Sequence, residues 1–187
     1  MRKIIVVLSW LSFLFCDENK EEYLPKIFNK NPSFLGDKVS YNGLSFILPN
    51  NLKRISQEQL EELKLRTDSV DNKFYDATLI DVFESSDDIY GFSLSKVNEK
   101  SLMTVKNDNY LKMLVESFNT ENVYRLKFLL NDIPTVQFQI NHPEYIELKL
   151  FLGYQNQIFL LDFIIDRKIF YDKIPFIEST LSTIAIN

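Results

Sequence analysis

The feature that most restricts this chain is a pair of long apolar runs, YIELKLFLGYQNQIFLLDFIID at residues 145–166, joined at Gln155 and Asn156. Side chains in a strand point alternately to its two faces. Ile146, Leu148, Leu150 and Leu152 therefore share one face of a first strand, opposite Tyr145, Glu147 and Lys149, and Phe159, Leu161, Phe163 and Ile165 repeat the pattern on the return. Asn tolerates the positive φ of a tight turn, so the segment predicts an antiparallel hairpin.

Other elements follow from the same kind of reading. YNGLSFILP at residues 41–49 alternates Leu44, Phe46 and Leu48 with Ser45 and Ile47, and Pro49 ends the strand. Ser56 and Gln59 then form an S-x-x-Q capping box, with Ile55 and Leu60 at the hydrophobic-staple positions of a helix whose Glu58, Glu61, Glu62 and Lys64 read as a solvated surface. Residues 77–84 and 90–97 read as a hairpin around the SSDD turn at 85–88. Leu111, Leu114, Val115 and Phe118 predict a second helix over 108–118, capped by Asn107 or Asp108. Strands over 124–130 and 134–140 flank a turn at 131–134. Phe170, Ile174, Ile177 and Leu181 give a third helix within 167–182, kinked or started at Pro175, and residues 183–186 add a short last strand or pack as a tail. The expected class is α+β, a mostly antiparallel sheet of about six to seven strands covered by about three helices.

At 187 residues the chain fits one domain and a leader, and its 45% hydrophobic and 25% charged residues are ordinary for a folded protein. Four glycines and no GxGxxG or GxxxxGK[ST] string argue against a phosphate-binding loop. A formal charge of −5 argues against nucleic acid as a partner, since that affinity depends on Lys and Arg neutralising phosphates. One cysteine permits neither an internal disulfide nor a cysteine zinc cluster.

That cysteine stands at a junction. Residues 1–15, MRKIIVVLSWLSFLF, carry two basic residues and then an apolar stretch broken by Ser9 and Ser12, the layout of a signal peptide and shorter than the roughly 20 residues of a spanning helix. Cys16 follows, then DENKEEY. The junction resembles the lipobox of bacterial lipoproteins, with Phe15 where that box usually has a small residue. The resemblance implies that Cys16 is diacylated and becomes the mature N-terminus. Loss of Arg2 and Lys3 with the leader takes the charge from −5 to −7. Residues 16–38 read as a lipidated tether, with Phe28, Phe34 and Leu35 docking near its end, and 39–187 as a single α+β domain.

With its elements placed, the domain resembles the PsbP-like family of α/β/α sandwiches, which includes bacterial lipoproteins and periplasmic proteins. The resemblance rests on YNGLSFILP (41–49), the hairpin at 145–166 and FIESTLSTI (176–184). It implies a non-enzymatic accessory or assembly factor and carries over no catalytic motif.

Four sets of residues bear on chemistry. His142, the chain's one histidine, sits in NHPE and reads as a polar loop residue. Asp162 and Asp166 interrupt or end an apolar strand, where they could work as an acid–base pair, face solvent, or in the case of Asp162 pair with Lys149. Asp87 and Asp88 read as turn residues rather than cation ligands. Tyr110, Tyr124, Tyr145, Tyr154 and Tyr171 could line a groove or complete a core. The expectation is thus a membrane-anchored envelope protein with no catalytic residues and no cofactor, serving as a protein-binding or accessory module. The alternative is a soluble periplasmic or extracellular binder of a small apolar ligand.

Overall fold

A computed structural model describes residues 23–69, 76–97, 123–154 and 157–186, together with Glu116. The expected helix over 108–118 otherwise lies outside these residues, as do Tyr110, the turn at Gln155 and Asn156, and everything before Tyr23. The architecture is mixed α+β. Its strands are β1 (Leu24–Pro25), β2 (Leu35–Tyr41), β3 (Leu44–Pro49), β4 (Lys53–Arg54), β5 (Ala77–Glu84), β6 (Tyr90–Val97), β7 (Val123–Leu130), β8 (Ile133–Asn141), β9 (Tyr145–Tyr154), β10 (Gln157–Asp166) and β11 (Ala185–Ile186). Among the described residues there are two α-helices rather than three, α1 (Gln57–Ser69) and α2 (Phe170–Leu181).

Eight strands, more than expected, form the large sheet in the order β1-β7-β8-β9-β10-β6-β5-β4, and a second sheet has the order β11-β3-β2. The hairpin β9–β10 lies inside the large sheet with Asp162 opposite Lys149 and Phe163 opposite Leu148. Leu148, Leu150, Leu152, Phe159, Leu161, Phe163 and Ile165 point to one face, where they join Leu44, Phe46 and Leu48 of β3 and Phe170, Ile177 and Leu181 of α2 in the larger core. The opposite face carries a second cluster of Val136, Phe138, Ile140, Phe151, Ile158 and Leu160. Both faces of the central strands therefore carry buried apolar clusters.

Local chemistry accounts for the ends of these elements. The Ser56 hydroxyl accepts from the Gln59 amide at 3.2 Å while the Gln59 side chain accepts from the Ser56 amide at 3.0 Å, so the expected capping box forms. Asn131 and Asp132, both at positive φ, close the β7–β8 hairpin, and the Asn131 amide donates to the Leu181 and Ile184 carbonyls at 3.3 and 2.8 Å, satisfying groups at the end of α2. Pro175 lies inside α2, where proline costs about 3 kcal/mol, and burial of Phe170, Ile177 and Leu181 at about 2 kcal/mol each outweighs it.

Two segments differ from expectation. Residues 41–49 contain a turn at Asn42 (φ 47°) and Gly43 (φ 91°), so Tyr41 ends one strand and Leu44 begins the next. Asn-Gly is the strongest short hairpin signal, since both positions need φ > 0. The segment 24–38, expected to be tether, is built into the body. β1 pairs in parallel with β7, Phe28 meets the Phe128 ring edge-on at 5.8 Å, and Phe34 packs on Phe176 at 4.2 Å, so the expected docking of Phe28 and Phe34 is present.

The two sheets are clasped by one buried carboxylate. Asp81, 2% exposed on β5, accepts from the Tyr41 hydroxyl of β2 and from Arg54 Nε of β4 at 2.7 Å, while its Oδ1 accepts from the Val82 amide at 2.9 Å. Burial, aided by Asp81, pushes the Tyr41 phenol up to about 12, so it remains a donor at any ordinary pH. Arg54 is half exposed and can rehydrate if its partner is lost. Asp81→Ala should therefore lower unfolding free energy by about 2–3 kcal/mol and Tyr41→Phe by about 1 kcal/mol, read from urea titrations with an unchanged slope.

Candidate functional site

Strand register brings charged residues into rows across the second face of the large sheet. Lys149 faces Phe138 on one side and Asp162 on the other, and Asp162 is followed by Ser93 and then Val82. The next row runs Ile140, Glu147, Ile164, Gly91, Glu84. Glu147, Lys149 and Asp162 thus emerge beside the apolar cluster of Phe138 and Phe151, where charge must be compensated within the protein.

Lys149, 7% exposed, is the central cation. Its Nζ contacts the Asp162 carboxylate and lies 2.6 Å from Glu147 Oε1. Glu147 Oε2 in turn lies 3.4 Å from His142 Nε2, and the His142 ring stacks on Tyr145 at 4.1 Å. Among the described residues, two carboxylates meet at one ammonium. Burial pushes the Asp162 carboxyl up to about 7, Lys149 opposing this and the neighbouring Glu147 adding to it. Burial, with a smaller contribution from Glu147, also raises the Tyr145 phenol.

A cleft of about 290 Å³ opens at this end of the row, lined by Asp162, Ser93, Gly91, Val82, Ile89 and Ile164 among others. It exists because β6 presents two of the smallest side chains there. Gly91 can carry no larger one, since a Cβ would meet the Phe83 carbonyl at 2.5 Å. Asp162 Oδ1 is buried at the cleft wall with no hydrogen-bond partner, an acceptor left unsatisfied at a cost of about 1–3 kcal/mol.

The residues singled out from sequence are distributed as follows. Asp162 does pair with Lys149, but it faces buried surroundings rather than solvent. Asp166 lies four residues along the same strand, about 13 Å away, and accepts from the Lys168 amide at 2.8 Å, so the two carboxylates are not a working pair. His142 is a loop residue drawn to Glu147, and Asp88 pairs with Lys173 at 2.8 Å. The tyrosines do not converge. Tyr124 and Tyr171 are exposed, Tyr145 stacks on His142, and Tyr110 and the Tyr154 side chain lie outside the described residues. Cys16 lies outside them too. No helix among the described residues is long and apolar enough to cross a membrane. Gly91 and Ser93 carry no local signal as site residues, because their arrival depends on β6 lying beside β10, whereas Glu147, two residues from Lys149 on β9, was within reach of the hairpin pattern.

The raised Asp162 carboxyl makes stability depend on pH with a definite sign. The folded protein holds a proton up to about pH 7 that the unfolded chain releases near 3.8, so this contribution is complete below the lower value and lost as pH rises through the upper. Thermal or urea unfolding of the wild type should show stability falling across that window. Asp162→Asn, which cannot titrate, should flatten the fall, and identical pH profiles for the two proteins would contradict the assignment.

No protein-family model matches the chain, and no curated protein matches it in sequence. Among solved structures, the solution structure of cyanobacterial PsbP (CyanoP) from Synechocystis sp. PCC 6803 aligns with a TM-score of 0.51 at 10% identity, covering 81% of this chain and 92% of that one. A crystal structure from Bacteroides thetaiotaomicron VPI-5482 aligns with a TM-score of 0.43 at 14% identity, covering 82% of this chain and 49% of the other. At 10% identity the first likeness reaches the fold and no further. The body is a mixed α+β unit with a PsbP-like fold.

Proposed function

We propose that the chain is an envelope lipoprotein, held at a membrane by acyl groups on Cys16, whose body works by binding another envelope protein. The observation that carries the reading is the cleft beside Asp162. Ile89 and Ile164, 66% and 44% exposed, give it an apolar rim next to a buried polar group, the combination expected of a recognition site. The anchor is supported by the sequence alone, in which a basic and apolar leader gives way to charge at the one cysteine. Two acyl chains on one residue suffice for stable membrane attachment, whereas a single chain binds marginally.

A second reading is a soluble periplasmic or extracellular binder of a small apolar ligand, for which the same cleft, at about 290 Å³, stands just under the roughly 300 Å³ at which small-ligand sites begin. Two experiments separate these possibilities. Cells fed a clickable fatty acid should label the wild type and not Cys16→Ser, and equal labelling would discard the anchor. A photo-reactive amino acid at position 89 should give a discrete protein adduct in intact cells. The same group at the exposed position 65 on α1 should not, and equal yields at both positions would remove the cleft as the contact site.

A further inference from the structure

We infer that the cleft beside Asp162 takes a primary ammonium group carried on a short apolar stem, such as a lysine side chain. This rests on the reading of the cleft as the contact site and adds the chemistry it would recognise. Three observations lead there. Among the described residues, Asp162 and Glu147 both contact the Lys149 ammonium, so two carboxylates meet at one cation there. One oxygen of that cluster, Asp162 Oδ1, has no partner, and the Asp162 side chain is 16% exposed and lines the cleft. The remaining surroundings, Ile164, Val82, Ile89 and the small Ser93 and Gly91, suit a methylene chain.

Oδ1 is itself shielded from water, so the ligand would turn the carboxylate about its terminal torsion, which is broad in aspartate, to reach it. Because Oδ2 is already engaged by Lys149, a ligand finds one acceptor rather than two. That favours the compact ammonium over a guanidinium, whose planar fork pairs best with both oxygens of a carboxylate. The other charged groups near the cleft do not compete. Asp88 is held by Lys173 at 2.8 Å and His142 sits beyond Glu147, while Glu84 at the exposed mouth of the cleft adds attraction for a cation without the shielding that Asp162 has. Ionisation of Asp162 near pH 7 should strengthen the interaction on the alkaline side, where alkylammonium groups are still charged.

The full chain, purified in detergent, would be titrated with n-butylamine and with N-acetyl-lysine methylamide, followed by ligand-observed NMR. Both should bind, and more tightly at pH 8 than at pH 6. Butyltrimethylammonium, which keeps the charge but has no N–H to donate, and N-acetyl-norleucine methylamide, which keeps the stem but not the charge, should each bind about tenfold more weakly or worse. Asp162→Asn should weaken butylamine by about tenfold and remove the pH dependence, and Ser93→Leu should abolish binding by filling the cleft, each variant being checked for folding by circular dichroism. Binding of butylamine without the lysine compound would keep the ammonium site and assign it to a free amine. Equal affinity of wild type and Asp162→Asn, or no binding of either amine, would overturn the inference. A position-89 adduct obtained alongside such a failure would leave the contact face standing and remove only its ammonium chemistry.

Discussion

Strands β9 and β10 carry buried apolar side chains on both faces, and the rest of the body is arranged to cover them. A strand pair with one greasy face can lie at a surface, but one with two must sit inside a sheet and have material above and below it. The position of β8 and β6 on either side, and of β3 and α2 over one face, follows from that requirement. The same burial governs Glu147, Lys149 and Asp162. Charges placed in the row beside the paired Phe151 and Leu160 cannot rely on water, so they are compensated by one another, two carboxylates meeting one ammonium among the described residues.

Packing alone would leave the small sheet free to slide over the large one. Asp81 and Asn131 prevent this from two directions. The first ties β2 and β4 to β5, and the second ties the β7–β8 turn to the end of α2. Polar groups with several partners are directional in a way that Leu and Phe are not, so a few of them define register for a core that would otherwise tolerate shifts. Gly91 belongs to the same framework. The close approach of the Phe83 carbonyl keeps β5 and β6 tight where the cleft needs a flat floor.

Much of this was legible in the residues. The hairpins at 77–97 and 145–166, the capped start of α1 and the apolar stripe of α2 each rest on contacts between near neighbours in the chain, which periodicity and capping rules address directly. The small sheet was not legible. Residues 35–40 have no apolar alternation and join β3 through their backbone, so the Asn42–Gly43 turn passed for part of a strand. The two-residue strands β1 and β4 are too short to have a period. The site was half visible. Pairing of Asp162 with Lys149 follows from hairpin register, while Gly91 and Ser93 arrive from a strand more than fifty residues earlier. Asp81 gave no signal at all, since a lone acid in an alternating strand looks like an outward-facing residue until the neighbouring sheet is in place.

The pairing of Leu24 and Pro25 with Phe128 and Leu129 decides where the polypeptide enters the body. It enters along the β7 border, five strand spacings, or about 24 Å, from β6 and the floor of the cleft. The entry point of the chain and the Asp162 hollow therefore lie toward opposite borders of the large sheet, so whatever precedes Tyr23 joins the body on the side away from the hollow.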